Sequence, residues 1–254
     1  MNLRYESLQA VESLQGKCVT SYQEMLAVLK EGMSEAEINH ILINILQKKD
    51  IRSYWYEIGV MVLINERRFH DMQTKDYTLK SPSETVILKR GNTIFIDFHP
   101  MDENGIWADF SSMCIYKPSE DDQEKVSYLE LVYTIHMEGI RKLNSTLTFA
   151  DVFKYYQEIY KEHDMEIEDV RHTVGHTLDT GSKYDNKNND KREFLDIENH
   201  ELISDLILAI EPGGYKYNKR NKMLVGRYED CVYIPQSGIP IILGRKNKLP
   251  FYIN

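Results

Sequence analysis

Two carboxylates at the ends of apolar stretches are the first residues in this chain that could do chemistry. Asp97 closes Ile94-Phe95-Ile96, and Asp109 follows in Trp107-Ala108-Asp109-Phe110. A carboxylate ending an apolar strand must be paired, protonated or bound to a cation, because an isolated buried charge is too costly. Two such acids on adjoining strands can point at one cation, although an acid at a strand end also serves as an ordinary turn former. His99 lies two residues beyond Asp97, and period-two alternation puts both side chains on one face. It is a further ligand, a substrate contact, or simply the start of a His99-Pro100 turn.

A second group follows later. His172 and His176 lie in Arg171-His172-Thr173-Val174-Gly175-His176. Read as a strand, positions i and i+4 share a face, so both imidazoles enter one pocket; otherwise they are surface histidines. Glu211 ends Leu208-Ala209-Ile210 just before a Pro212-Gly213 turn. This mixture of carboxylate oxygens and imidazole suits a hard or borderline divalent ion.

The elements that must position these residues read as two helices and a set of strands, repeated. Two helices fill the first fifty residues, the second opened by a capping box of Ser34 and Glu37. Ile38, Ile41, Leu42, Ile45 and Leu46 then form one apolar stripe. Strands of one antiparallel sheet are expected at 59–64, 85–88, 93–98 and 106–115. Beyond Pro118 the order restarts with helices over about 120–143 and 148–162, the latter capped by Thr148 with Asp151. Strand-like runs return at 170–178, 206–211, 228–234 and 239–243, and 183–192 reads as an exposed polar loop. The pattern suggests an internal duplication of roughly 120 residues with a site between its halves.

Composition narrows the functional classes. The 254 residues are 42% hydrophobic, enough for a substantial core, and carry a net charge of −9. That charge leaves no basic footprint for nucleic acid. No apolar run approaches the roughly 20 residues of a membrane helix, and residues 1–15 lack the apolar core of a signal peptide. Cys18, Cys114 and Cys231 are odd in number and far apart, which argues against a disulfide framework and for a reduced cytoplasmic protein.

In order and in neighbours, Asp97, Asp109, His176 and Glu211 resemble the metal ligands of the creatinase and methionine aminopeptidase superfamily, the pita-bread fold of peptidase family M24. Further matches are Gly32-Met33-Ser34-Glu35, Asn65 with His70, the run from Gly91 to Asp97, Gly175-His176, Ile210-Glu211-Pro212-Gly213 and Gly226-Arg227-Tyr228-Glu229-Asp230. The resemblance implies an α+β fold of two pseudo-symmetric halves, about 1–118 and 119–254, forming one catalytic domain without a separate N-terminal domain. It implies one or two divalent ions (Mn, Fe, Co or Zn) and a homodimer as the oligomer. It also implies catalytic roles for His70, His172 and Glu211, and substrate contacts from Asn65, His70, His99 and His172. Residues 66–80 and 183–193 are expected to border the pocket.

Two departures stand out. In Ile234-Pro235-Gln236-Ser237-Gly238, Gln236 stands where the resemblance leads one to expect the last ligand, a glutamate, which leaves a weak ligand and a weakened second ion position. Lys183 stands where proline-specific relatives carry a further histidine. The leading expectation is a metal-dependent hydrolase acting on a short peptide or small amide, aminopeptidase-like or dipeptidase-like. The alternatives are a specialised enzyme on the same fold, with a mononuclear Fe or Mn site or metal-free C–N hydrolysis as in creatinase, and a catalytically inactive binding homologue.

Overall fold

A computed structural model describes residues 5–68, 80–169, 171–178, 192–244 and 249–253. Helix α1 (Tyr5–Val28) and helix α2 (Glu35–Lys48) form the first pair. The expected cap is present: Glu37 N–H donates to Ser34 Oγ at 3.1 Å, and Ser34 N–H donates to the Glu37 carboxylate at 2.7 Å. Ile38, Leu42 and Leu46 are fully buried, each contributing on the order of 2 kcal/mol of apolar burial.

These helices cover a four-stranded sheet. Its strands are β2 (Val60–Ile64), β3 (Thr93–Phe98), β5 (Phe110–Tyr116) and the short β13 (Tyr252–Ile253), in the order β13-β5-β3-β2. β13 runs parallel to β5, and the other pairs are antiparallel. β3 is buried on both faces. Ile94, Ile96 and Phe98 join the core under α1 and α2, while Phe95 packs with Met113, Val126 and Leu129 on the opposite side. Asp97 therefore shares a face with Phe95, not with the helix-covered residues. A small pair, β1 (Ser53–Tyr54) with β4 (Pro100–Met101), extends this end.

The order then repeats with helix α3 (Gln123–Lys142) and helix α4 (Phe149–Glu162) over a second four-stranded sheet. That sheet runs β12 (Ile241–Ile242), β11 (Asp230–Ile234), β8 (Leu206–Ile210), β7 (Gly175–Thr177), all antiparallel. A third sheet joins β6 (Glu166–Ile167), β9 (Gly214–Tyr217) and β10 (Met223–Gly226). Each helix pair has its own apolar core, and a third cluster with Val11, Trp55, Trp107, Ile207 and Cys231 draws on both halves.

The two large sheets meet where β5 begins. Ser112 bridges Tyr228, and Glu229 N–H donates to the Ser111 carbonyl at 3.1 Å. This junction places the entry to β11 beside Asp109. Several expected strands are shorter or absent: residues 85–88 contribute a Ser34–Ile87 bridge, and within 106–109 Trp107 makes an isolated bridge to Met101 before β5 begins at Phe110. Among the described residues, no helix is long and apolar enough to cross a membrane.

Candidate metal centre

Register brings the first three acidic and basic groups together. Asp97 pairs with Ser111 across β3 and β5, so Asp109, two residues before Ser111, projects from the same face. His99 follows Asp97 on that face. One ligand atom from each of Asp97, His99 and Asp109 lies within 4.8 Å of the others, and all three side chains are buried. His99 Nδ1–H donates to the Ile58 carbonyl at 3.1 Å, which turns Nε2 toward Asp97 Oδ1 at 3.1 Å and Asp109 Oδ1 at 3.7 Å. Burial alone would lower the His99 pKa; the Asp97 and Asp109 carboxylates outweigh it and hold it above the ordinary range.

β7 supplies the next ligand candidate. His176 Nδ1–H donates to the Thr177 carbonyl at 2.9 Å, and Nε2 faces Asp109 Oδ2 at 3.3 Å and Glu211 Oε1 at 3.6 Å. Gly175 makes this placement feasible: its φ is +151°, and a Cβ there would collide with the Ala209 carbonyl oxygen of β8. Glu211 follows β8, and its other oxygen, Oε2, accepts from Arg227 Nη2. Arg227 Nη1 donates to Glu168 Oε2 at 3.0 Å, with Asp169 at 4.0 Å. Burial would make the Arg227 guanidinium easier to deprotonate, but Glu168 and its acidic neighbours reverse this and keep it charged.

Glu229 completes the set. It is 2% exposed, and its pKa is pushed well above the ordinary range, first by burial and then by Asp109 and Asp97. Four carboxylates thus surround two imidazoles, with Arg227 engaged at the edge. Asp109 Oδ1 and Glu229 Oε1 are buried and accept no hydrogen bond among the described residues. A buried set of this kind needs further cations or protons for neutrality, and its oxygen and imidazole donors fit divalent metal ions.

An aromatic wall flanks the cluster. Trp55 stacks on Trp107 with centroids 4.6 Å apart and meets the rings of His99 and His176 edge-on at 5.1 and 5.8 Å. Half-buried Arg192 sits over Trp55, Tyr56 and Phe194 at 5.2 to 5.3 Å.

With this geometry in place, the comparison with known sequences is decisive: the model of metallopeptidase family M24 matches residues 9–236. The chain belongs to metallopeptidase family M24. None of the curated proteins matches it in sequence. Among solved structures it is similar to the X-Pro aminopeptidase of Thermotoga maritima, at 17% identity and TM-score 0.74, covering 100% of this chain and 65% of that one. The prolidase of Pyrococcus furiosus matches at 16% identity and TM-score 0.75, covering 97% of this chain and 66% of that one. The methionine aminopeptidase of Thermotoga maritima matches at 14% and 0.69, covering 97% and 99%. The chain therefore spans just under two thirds of the two proline-peptidase structures and nearly all of the methionine aminopeptidase. These likenesses give the M24 chain the pita-bread α+β fold.

The structure corrects three sequence expectations for this M24 chain. Gln236 is exposed in the turn after β11, where its carbonyl accepts from Ser145 Oγ at 2.8 Å. It is no ligand, and Glu229 supplies the fourth carboxylate in its place. The weakened second position inferred from Gln236 falls with it. His172 does not share a strand face with His176, because β7 begins only at Gly175; His172 is exposed in a left-handed turn at φ 54°. Asn65 stands across from the start of β3 and accepts from Thr93 N–H at 3.1 Å, four residues along the strand from Asp97. Asp97, Asp109, His176, Glu211 and His99 do converge. His70 and most of 66–80 and 183–193 lie outside the described residues. Sequence reasoning gave Glu229 and Arg227 no role, although both lie in the Gly226-Arg227-Tyr228-Glu229-Asp230 run that carries the family resemblance.

Proposed function

We propose that this chain is a metal-dependent hydrolase of a short peptide or small amide, aminopeptidase-like or dipeptidase-like, acting in the cytoplasm. One observation carries the reading: both oxygens of buried Asp109 face imidazole nitrogens, Oδ1 toward His99 and Oδ2 toward His176, as a carboxylate shared between two ion positions would. Asp97, Asp109, His176, Glu211 and Glu229 would hold one or two divalent ions. When bound, such ions polarise the scissile carbonyl and make a nucleophile available near neutral pH.

The chain's own groups do the rest. Arg227 fixes Glu211 Oε2, so only Oε1 is turned to the cluster, where it is placed to take the proton of the attacking water. His70, by the family resemblance, is the candidate for hydrogen-bonding the substrate carbonyl. Tyr56, Phe194 and Arg192 form a half-buried rim against which a short substrate would seat. Three buried, unpaired thiols support a reducing compartment.

The test is hydrolysis of a panel of dipeptides and short unblocked peptides by metal-free protein and by protein reloaded with manganese or cobalt. Cleavage is expected only after reloading and is lost in Asp109→Asn. Cleavage that survives chelation, or none with any ion, would sink the reading.

A further inference from the structure

His99 and His176 are held in the same way on opposite sides of Asp109. Each imidazole commits its Nδ1–H to a backbone carbonyl, Ile58 at 3.1 Å for His99 and Thr177 at 2.9 Å for His176. Each turns its Nε2 onto carboxylate oxygens of the cluster, His99 onto Asp97 and Asp109, His176 onto Asp109 and Glu211. Each presents its ring to Trp55 at a near-perpendicular angle, 80° and 78°. A backbone acceptor on one ring nitrogen fixes the tautomer and leaves the other nitrogen's lone pair for a metal ion. Facing carboxylates with that lone pair is repulsive unless a cation lies between them. The buried Asp109 Oδ1, with no hydrogen bond among the described residues, marks the place.

We propose that His99 ligates the second of two ions, so that each ion takes one imidazole and Asp109 lies between them. This rests on the metal-dependent reading above and specifies its second position. Asp97, His99 and Asp109 then form a mixed nitrogen and oxygen site. Imidazole favours borderline first-row ions such as cobalt, zinc or iron, whereas an all-oxygen site suits manganese and magnesium. The second position accordingly selects a borderline ion.

The test uses the full chain stripped by chelation and titrated with Co2+, followed by calorimetry and by the visible absorption of bound cobalt. The unmodified protein is expected to take two cobalt ions. His99→Phe, which keeps a ring against Trp55 without the nitrogen, is expected to keep one and to bind the second at least tenfold more weakly, with a smaller loss for Mn2+. His99→Gln should give the same pattern, which guards against a packing defect in the phenylalanine variant. Two cobalt ions bound undiminished by both variants would overturn the proposal. So would a single ion in the unmodified protein, with the His99 Nε2 proton still present in nitrogen NMR, since an imidazolium then stands in for the second ion. In either case the metal-dependent reading survives, whereas no ion at all would remove both.

Discussion

Buried Arg227 and half-buried Glu211 form an ion pair at the edge of the acidic cluster, Arg227 Nη2 donating to Glu211 Oε2, while the other guanidinium edge holds buried Glu168. The guanidinium is thus a divider: it takes one oxygen of Glu211 and leaves the other for the site. Removing one partner of such a pair strands buried charge, which costs about 3–5 kcal/mol. Arg227→Met is therefore expected to destabilise the metal-free protein by an amount of that order in denaturant unfolding. Saturating divalent ion should recover part of the loss, because it neutralises the same carboxylates. A loss under about 1 kcal/mol would mean that the guanidinium is not the counter-charge described here.

Glu229 gives the metal-free protein a distinctive pH response. Its pKa is raised in the folded state, by burial and then by Asp109 and Asp97, above its ordinary value of about 4.5. A raised carboxyl means that the folded state holds the proton more tightly than the unfolded chain. Its contribution to stability is complete below the ordinary value and is lost as pH rises through the folded one. Glu229→Gln should flatten that decline, seen by comparing denaturant midpoints at pH 5 and pH 8. Ion binding to the unmodified protein should release a proton over the same range, measurable by calorimetry in buffers of different ionisation enthalpy. Equal slopes in the two proteins would show that Glu229 is ionised before any ion arrives.

Glu229 also shows where sequence reasoning stops. Ser34 with Glu37 and Thr148 with Asp151 were legible because a capping box is local, four residues whose partners are each other. Asp97, Asp109 and Glu211 were legible because each ends or interrupts an apolar run, and His176 through its spacing from His172 and the Gly175-His176 pair that carries the family resemblance. Glu229 owes its place to the junction of β11 with β5 through Ser111, a contact between the two halves that no local pattern encodes. Gln236 was misplaced for the same reason, since a turn residue near a glycine looks identical whether or not it faces the site. The β9–β10 hairpin was missed because each of its strands is only four residues long, too short for a period to stand out.

The cysteines supply a prediction about reactivity. Cys114 is fully buried, and burial pushes its thiol up to about 12. Burial, reinforced by the nearby Asp109 and Glu229 carboxylates, also pushes Cys18 and Cys231 well upward. The nucleophile is the thiolate, so all three should resist a disulfide reagent at pH 8 in the native protein and react together on unfolding. Rapid labelling of any one at native conditions would contradict its burial.

Asp151 responds to pH in the opposite sense from Glu229. Its carboxylate accepts from Thr148 N–H at 3.0 Å and from Thr148 Oγ1 at 2.8 Å, and these bonds hold its pKa below the ordinary value of 3.8. A lowered carboxyl contributes stability that is present above the ordinary value and is lost as pH falls through the folded one. The group is largely exposed, so solvent keeps this contribution small. Thr148→Ala removes the cap as well and should cost about 1 kcal/mol near neutral pH. That cost should shrink below pH 3, where protonated Asp151 no longer accepts strongly. Ser34→Ala, at the matching cap of α2, should cost a similar amount at neutral pH. Because Glu37 reaches back to Ser34 N–H in the same way, a large difference between the two would show that one helix start is held by its surroundings and not by its cap.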